Sequence, residues 1–296
     1  MSKYRFGFLL EQSLGNRVYC RNLENWTRAD PSHESTWMPI PPWPGDIWDR
    51  LPVIKRNFRL KMGLRARDMV RAAERAGTRF DALFYNPFSP SLFAVGVARK
   101  RPIVISMDTS PLTFESMAEE YGHNAEAPEL VRRVKLRWYS RVFKAAAAVT
   151  CWNQWSADSL VKDYGVDPAR IFVIPPGVDL QKWKPASRDG REGRLPRLLF
   201  VGGEFERKGG SVLLDAFRSS LAGRCELDIV SDAAPIESEG AIRVHRDLTH
   251  EKGGLQALVA DADVFVLPTL ADCSPLVNIE AMASGLPVVS CDVGAV

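Results

Sequence analysis

Residues 263–291 read DVFVLPTLADCSPLVNIEAMASGLPVVSC, and their pattern is the clearest indication of the fold. An apolar run of strand length covers 263–267, a polar loop follows, a helical period covers 276–284, and a second apolar run covers 287–291. Two buried strands joined by a helix form a βαβ unit, whose strands lie parallel in a sheet covered on both faces. The stretch therefore predicts part of a doubly wound α/β sheet.

The same alternation continues on both sides of a polar stretch without apolar period, residues 177–195, which favours a linker. Before the linker, the predicted strands are Tyr4–Leu10, Ala82–Tyr85, Ile103–Ser106, Ala146–Thr150 and Ile171–Ile174, and the predicted helices are 56–76, 88–99, 128–144 and 154–164. After it, the predicted elements upstream of residue 263 are Arg197–Val201, helix 209–220, Cys225–Val230, Ile242–His245 and helix 250–260. We therefore predict two Rossmann-like doubly wound domains, over 1–176 and 196–296.

Length and composition agree with two soluble domains. The chain has 296 residues, of which 46% are hydrophobic and 25% charged, which is typical of packed cores and not of disorder. Residues 1–178 hold 26 Lys and Arg against 18 Asp and Glu (+8), and residues 179–296 hold 13 against 18 (−5), which gives the net charge of +3. Such asymmetry suggests different partners for the two halves. Five scattered cysteines favour a reducing compartment over a disulfide framework or zinc site.

The sequence stops at Val296, just after a predicted strand, where the loop into another helix is expected. We therefore expect a second domain that is incomplete and a chain that is C-terminally truncated. An exposed apolar flank and an open sheet edge would make this form poorly active and prone to association, whereas residues 1–175 would fold well.

Two carboxylates in the opening stretch carry the chemistry. Asp272 lies in the loop after the strand, and Glu280 lies eight positions later on the helix. Ligands of doubly wound sheets bind beyond the carboxyl ends of the strands, where a helix N-terminus offers N–H groups to a phosphate. One acid can then face a reacting sugar while the other accepts hydrogen bonds from a ribose diol. The plainer alternative is that Glu280 only supports its helix through the dipole.

This segment, with its tail EAMASGLPVV, resembles the E-x7-E signature of retaining GT-B glycosyltransferases of glycosyltransferase family four. The resemblance implies two Rossmann-like domains facing across a cleft, with Glu280 on the ribose and Asp272 on the donor sugar. Asp272 is one methylene shorter than the usual glutamate, and Pro275 stands where a glycine is common. By position, Ser274, Leu276 and Val277 join the implied donor-binding residues.

A second block, residues 199–210 (LFVGGEFERKGG), resembles the element of this family in which an arginine and a lysine grip the donor diphosphate. Lys208 matches the lysine. Gly203 stands at the usual arginine position, so that role is vacant or passes to Arg207. A cation at such a turn can stabilise the charge that develops on a leaving diphosphate.

Two loops of the first domain are expected to serve the acceptor. Gly15, in the loop after the first strand, matches the glycine loop of the family between donor phosphate and acceptor. Asp108 follows a strand where many relatives carry a histidine, and it could orient the acceptor hydroxyl or touch the donor sugar. An equally good interpretation makes Asp108 a loop or helix cap. Residues 171–179 (IFVIPPGVD) resemble the interdomain hinge of the family.

Residues 55–79 are strongly basic, with apolar members Phe58, Met62, Met69 and Ala73. Such a helix can lie on an anionic bilayer, so a peripheral membrane contact is one interpretation. The other is a solvated face over a core stripe.

The leading hypothesis is a hexosyltransferase that uses a nucleoside diphosphate sugar and a hydroxyl acceptor (glycan, lipid-linked saccharide or metabolite) with retention of configuration. The alternatives are a GT-B epimerase or phosphorylase and a catalytically inactive sugar-nucleotide-binding protein. We expect no metal, no cofactor beyond the nucleotide-sugar co-substrate and no nucleic-acid partner, in a cytoplasmic protein that could be peripheral at the inner face of the membrane.

Overall fold

The computed structural model describes residues 3–13, 15–52, 54–123, 128–187, 191–248 and 253–296, and its strands form two separate parallel sheets. Each sheet lies in its own unit. The first unit spans Met1–Ser116 and Asn124–Gly177, and the second spans Met117–His123 and Val178–Val296. The prediction of a first domain over 1–176 does not anticipate that residues 117–123 pack with the second sheet.

The first sheet has six parallel strands in the order β2-β1-β3-β4-β5-β6. The strands are β1 (Tyr4–Glu11), β2 (His33–Ile40), β3 (Ala82–Asn86), β4 (Ile103–Met107), β5 (Ala148–Cys151) and β6 (Ile171–Val173). The helices of this unit are α1 (Asn16–Arg28), α2 (Ile47–Arg50), α3 (Phe58–Arg75), α4 (Val95–Ala98), α5 (Pro111–Glu115), α6 (Glu129–Ala145) and α7 (Gln154–Lys162), with 3-10 turns at Ser89–Phe93 and Pro168–Arg170. Where the sequence predicts one helix over 88–99, the structure has a 3-10 turn followed by the short α4.

The sequence interpretation missed α1 and β2. β2 is the edge strand of the sheet, paired only with β1. An edge strand tolerates a proline and polar side chains, and β2 contains Pro39 and begins with four polar residues, 33–36, so its apolar run is short.

The core of this unit is formed by side chains from β1 to β5 and by one face of α3 and α6. Leu9, Ile103 and Ile105 are fully buried, and Met62 of α3 and Phe143 of α6 pack into the same cluster. On α3 the predicted apolar members therefore face the core.

Two of the cations in residues 55–79 are paired inside the unit, and the membrane contact suggested for this segment stays a prediction. Lys61 and Arg65 are buried, and both bind Asp49, with Nζ 2.9 Å and a guanidinium nitrogen 2.7 Å from its two carboxylate oxygens. Arg65 also binds Asp46, 2.7 Å away. Burial alone would raise the pKa of Asp49, but the hydrogen bonds from Lys61 and Arg65 outweigh it and lower the pKa to about 2. Two of the cations that make this helix basic are thus neutralised inside the unit.

The second sheet has five parallel strands in the order β11-β10-β7-β8-β9. The strands are β7 (Arg197–Val201), β8 (Glu226–Val230), β9 (Ile242–His245), β10 (Val264–Leu267) and β11 (Val288–Ser290), and the helices are α8 (Gly210–Ala216, continued by a π turn at Phe217–Leu221), α9 (Leu255–Asp261) and α10 (Leu276–Ala283). The first three positions of the predicted helix 250–260 lie outside the described residues, and the remainder overlaps α9. Leu199, Phe200 and Phe265 are fully buried in the core of this unit.

In both sheets the strand order reverses once, between β1 and β3 in the first and between β7 and β10 in the second. Ligands of open α/β sheets bind at such switch points, beyond the carboxyl ends of the strands. The loops that follow β7 and β10 carry Lys208 and Asp272, and the loop that follows β1 carries Gly15. The topology therefore places these predicted residues at the two switch points.

In the described part of the chain, none of the helices combines the length and the apolar composition that a membrane crossing requires.

Candidate functional site

The centre of the candidate site is an ion pair at the switch point of the second sheet. The ammonium of Lys208 contacts Oδ2 of Asp272, and the side chains are 16% and 7% exposed. Oδ1 of Asp272 accepts a hydrogen bond from the backbone N–H of Ser274 at 3.3 Å. The structure therefore brings the residue from the diphosphate block and the residue from the acid pair into direct contact, although they are 64 positions apart.

The turn that presents Lys208 depends on glycine at position 209. Gly209 has φ +79°, and a Cβ added there would lie 1.9 Å from the carbonyl oxygen of Pro268. Only glycine permits both the left-handed conformation and this approach of two backbones. The backbone N–H of Leu270 also donates to the carbonyl of Arg207 at 2.9 Å. The loops after β7 and β10 are therefore locked together, which fixes Lys208 opposite Asp272.

Arg207, predicted as a diphosphate ligand, is buried and engaged within the unit. Its guanidinium donates to Glu204 at 2.8 Å and to the carbonyl of Ala271 at 2.6 Å. Its guanidinium carbon lies 4.2 Å from the ring centroid of Tyr121, and one guanidinium nitrogen donates to the Tyr121 hydroxyl at 3.3 Å. The hydrogen bond from Arg207 holds the pKa of Glu204 below its usual value. These contacts brace the loop beside Asp272, and the diphosphate role of Arg207 stays a prediction.

Tyr121 is a residue of this site that sequence reasoning missed. Its hydroxyl lies 3.5 Å from the Cys273 sulfur, next to Asp272, and burial raises the pKa of Tyr121 well above its usual value. The residue belongs to the segment 117–123, which packs with the second sheet. Local pattern carries no signal for this placement, because the segment is separated from the rest of that unit by more than 50 residues.

Glu280 is buried in the second turn of α10, with 3% of its surface exposed. Ser274, Leu276 and Val277 lie at the start of this helix and are half-buried, and the N-cap residue Pro275 offers no side-chain cap to the first-turn N–H groups. The resemblance-based donor-binding residues of this segment therefore gather around one helix N-terminus, where N–H groups and the dipole favour an anion.

Two further residues complete this edge. Asn278 is buried on α10, and its Oδ1 has no hydrogen-bond partner among the described residues. An unpaired buried polar atom is costly, so such an atom commonly awaits a ligand or an ordered water. Gly203 is exposed, and an added Cβ would meet no atom within 4 Å. Sterics inside the protein therefore do not require glycine at position 203, and its predicted donor role stays untested.

The first unit has its own polar edge around Asp108. The carbonyl oxygen of Asp108 accepts hydrogen bonds from the Asn153 side chain and the Ser156 hydroxyl, both at 2.7 Å. Asn153 is the N-cap of α7, so the backbone of Asp108 anchors the start of that helix. Gly15 is the N-cap of α1, and a Cβ built there would meet nothing within 4 Å. The predicted roles of Asp108 and Gly15 toward substrates stay predictions.

Glu11, the last residue of β1, is the second residue that sequence reasoning missed. It is 3% exposed, Ser13 donates a hydrogen bond to Oε1, and Oε2 has no hydrogen-bond partner among the described residues. The pKa of Glu11 is raised to about 7, mainly by burial and also by the charge of Asp108, against the hydrogen bond from Ser13 and the charge of Arg59, which lower it. The available signal in the sequence was a carboxylate placed directly at the end of an apolar strand.

Within the described ranges no group of three or more His, Cys, Asp and Glu side chains is arranged to hold a metal ion.

Comparison with solved structures identifies the class of fold. A sucrose-phosphate synthase from Thermosynechococcus elongatus has a TM-score of 0.73 at 16% identity, covering 99% of this chain and 82% of that one. Anabaena HepE, solved in complex with UDP-glucose, has a TM-score of 0.64 at 16% identity, covering 98% and 81%. The fold is thus that of GT-B proteins, and the predicted pair of Rossmann-like parallel-sheet domains is confirmed.

The family follows from the sequence profiles. Glycosyltransferase Family 4 matches residues 24–182, and Glycosyl transferases group 1 matches residues 195–296. This chain belongs to Glycosyltransferase Family 4, as the E-x7-E resemblance predicts.

Curated relatives include the MMP alpha-(1->4)-mannosyltransferase of Mycolicibacterium hassiacum, 31% identical over 202 residues that cover 62% of this chain and 47% of the relative. The D-inositol 3-phosphate glycosyltransferase of Paenarthrobacter aurescens is 31% identical over 218 residues, which cover 65% and 51%. The chain spans about half the length of the curated relatives it matches.

Proposed function

We propose that this chain acts as a retaining glycosyltransferase that moves a hexose from a nucleoside diphosphate sugar to a hydroxyl acceptor. One observation carries the proposal: the ammonium of Lys208 contacts the carboxylate of Asp272 at the switch point of the second sheet, and the helix that follows, α10, carries a second buried carboxylate, Glu280. In a nucleoside diphosphate sugar, the diphosphate calls for a cation, and the hydroxyl groups of the sugar and the ribose call for hydrogen-bond acceptors. Ligands of doubly wound sheets bind at such a switch point.

In this proposal the bond between the anomeric carbon and the diphosphate oxygen breaks, and its electron pair leaves with the diphosphate. Lys208 stabilises the negative charge that develops there, because a preorganised cation needs no reorganisation during the reaction. Binding of the diphosphate would replace the contact of Lys208 with Asp272, which frees the Asp272 carboxylate to accept a hydrogen bond from a donor-sugar hydroxyl. Glu280 accepts hydrogen bonds from the ribose diol.

The acceptor oxygen then forms the new bond to the anomeric carbon from the face that the diphosphate leaves. Its proton passes to an oxygen of the departing diphosphate, so charge and atoms balance without a protein nucleophile. Asp108 and Gly15 of the first unit are proposed to orient the acceptor. These roles rest on the motif resemblance described above.

The comparisons support a nucleotide-sugar donor, because HepE is solved with UDP-glucose and also with UDP. The names of the curated relatives indicate mannosyl transfer in one case and D-inositol 3-phosphate as the acceptor in others. The proposed acceptor class is therefore a hydroxyl of a glycan, a lipid-linked saccharide or a metabolite. All five cysteines are free thiols, which fits a reducing compartment, and a cytoplasmic location is part of this proposal.

The second candidate is a sugar-nucleotide-binding protein without transfer activity. It is favoured by the mutual neutralisation of Lys208 and Asp272, which leaves both groups engaged before a donor arrives. Binding without turnover would be its signature.

One experiment separates these functions. The purified chain is incubated with UDP-, GDP- and ADP-hexoses and with inositol phosphate, a small glycan or a lipid-linked saccharide, and NMR follows product formation and anomeric configuration. Calorimetry on the same samples measures donor binding. An axial donor giving an axial product supports the proposal. Binding without product supports the second candidate, an inverted product contradicts retention, and no nucleotide binding by the folded protein contradicts both.

A further inference from the structure

Helix α6 has an exposed apolar stripe in addition to the apolar face that it buries. Its second half packs into the core through Tyr139, Val142 and Phe143, all less than one tenth exposed. The stripe is formed by four large apolar residues that are exposed by between 37% and 73%, namely Leu130, Val131, Val134 and Trp138. A surface helix normally presents polar side chains on the side away from its core stripe.

The four residues lie on one side of the helix. Successive residues of an α-helix turn by about 100°, so Leu130, Val134 and Trp138 follow one another with a drift of about 40° at each step. Val131 falls within the same arc, which spans about 100°. Tyr139 lies about 180° from Leu130, on the opposite side. The fully buried Val142 lies about 120° from Leu130, so the exposed stripe borders the core-facing side along one edge.

The indole of Trp138 is fixed at the end of this stripe. Its Nε1 donates to the carbonyl of Leu92 at 3.0 Å, while 37% of its surface stays exposed. A tryptophan with an anchored N–H and an exposed ring is suited to the interface between lipid and water, where one part of the ring meets apolar groups and the other meets polar ones.

Cations border the stripe. Residues 129–145 carry six cations against one carboxylate, a balance of +5, and the cations are Arg132, Arg133, Lys135, Arg137, Arg141 and Lys144. The carboxylate, Glu129, pairs with the first two of them, at 3.4 and 2.8 Å. An exposed apolar surface rimmed by cations complements an anionic bilayer, whose headgroups attract the cations while its acyl region takes up the apolar side chains.

A depression beside α6 offers a place for a headgroup. It is open to solvent and has a volume of about 770 Å³, and its lining includes three cations, Arg137, Arg141 and Lys144, and one carboxylate, Asp163. By the helical repeat, Arg141 lies within the arc of the stripe, and Arg137 and Lys144 lie next to it. The depression and the stripe thus form one continuous surface of this helix.

We propose that this surface of α6 docks onto a bilayer rich in anionic lipid. The observations that carry it are the exposed apolar stripe, the cations on its borders and the cation-lined depression next to it. The proposal concerns membrane attachment and does not depend on the transferase reaction, because lipid binding is measured without donor or acceptor.

The test is flotation of the intact protein with vesicles of phosphatidylcholine alone and with vesicles containing phosphatidylglycerol. We expect binding to the anionic vesicles, weak binding to phosphatidylcholine, and release as the salt concentration rises, because screening weakens the attraction of the cations to the headgroups. The double variant Leu130→Ser, Val134→Ser should bind at least tenfold more weakly. The triple variant Arg137→Gln, Arg141→Gln, Lys144→Gln should bind more weakly by a similar factor and lose most of its salt dependence.

The matched control lies on α3, where Arg71→Gln and Arg75→Gln remove two exposed cations from the other basic helix. This variant should bind within twofold of the wild type. All substitutions are at exposed or half-exposed positions, and circular dichroism checks the fold.

Three results would overturn the proposal: equal binding by wild type and by the serine variant, equal binding to both kinds of vesicle, or a loss of binding in the α3 control as large as in the α6 variants. Sedimentation velocity covers the main rival. A dimer that the serine variant abolishes, without binding of the wild type to anionic vesicles, would assign the stripe to a second copy of the chain.

Discussion

At the switch point of the second sheet, the buried carboxylate of Asp272 lies against the ammonium of Lys208. At the switch point of the first sheet, the buried carboxyl of Glu11 accepts a hydrogen bond from a hydroxyl group, and its other oxygen has no hydrogen bond among the described residues. Burial makes charge expensive unless it is paired. The second edge therefore keeps charged groups available for a charged ligand, and the first edge holds a carboxyl with a pKa of about 7, which suits neutral hydroxyl groups. This difference is consistent with the donor role proposed for the second edge and the acceptor role proposed for the first.

The largest effect is expected at the charged edge. Lys208→Ala should lower turnover with a nucleoside diphosphate sugar by ~100-fold or more, because the leaving diphosphate loses one preorganised charge contact. Initial rates on the folded variant measure this. Lys184→Ala, at an exposed position of the same unit, should keep the wild-type rate. An unchanged rate in Lys208→Ala would remove the residue from the site.

The next effect concerns Glu11 and pH. Its pKa rises from 4.5 to about 7 on folding, so the folded state binds the extra proton and stability falls as pH rises through that window. From pH 5 to 8 this costs ~2–3 kcal/mol of unfolding free energy. Glu11→Gln has no carboxyl to ionise, so this part of the pH dependence should disappear.

Denaturant titrations at several pH values test the prediction, with Glu119→Gln, at an exposed position, as the control that keeps the wild-type slope. If the slope of Glu11→Gln equals that of the wild type, Glu11 is not the group that titrates.

A smaller effect on donor binding is expected from the second carboxylate of the charged edge. Glu280→Gln keeps the shape of the side chain and removes its charge, so nucleoside diphosphate affinity should fall by ~1.5–3 kcal/mol, the range for hydrogen bonds to charged groups. Calorimetric titration measures the change. Glu237→Gln, whose side chain is 87% exposed, is the control. Affinity that is insensitive to Glu280→Gln would refute the ribose assignment.

The smallest effect tests the support of that edge. Tyr121→Phe keeps the ring over Arg207 and removes the hydroxyl that lies 3.3 Å from the guanidinium. We expect the unfolding free energy to fall by ~1 kcal/mol, the usual net value of one hydrogen bond. The comparable change at Tyr4, which is 68% exposed, should have no measurable effect. If both variants are as stable as the wild type, the hydroxyl of Tyr121 does not brace the loop.

Part of the candidate site could be predicted because its signal is local. The alternation of apolar runs and helical periods sets the βαβ units, and residues after a strand must lie at the carboxyl edge of its sheet. Lys208, Asp272 and Glu280 follow β7 and β10 in this way, so their placement at one edge could be predicted. Tyr121 could not be found in this way, because its placement depends on groups that are distant in sequence. For Glu11 the position at the end of β1 was a local signal, but its burial and raised pKa depend on tertiary contacts.

The two parallel sheets and the family could be predicted from the sequence, because periodicity and short motifs are properties of neighbouring residues. Whether each charged side chain is buried and paired or exposed depends on tertiary contacts. Helices α3 and α6 are both basic with apolar members, yet Lys61 and Arg65 of α3 are buried against Asp46 and Asp49, while α6 exposes an apolar stripe beside its cations. The physical reason is that the energy of a charge depends on its solvation and its partners, which distant parts of the chain supply only after folding.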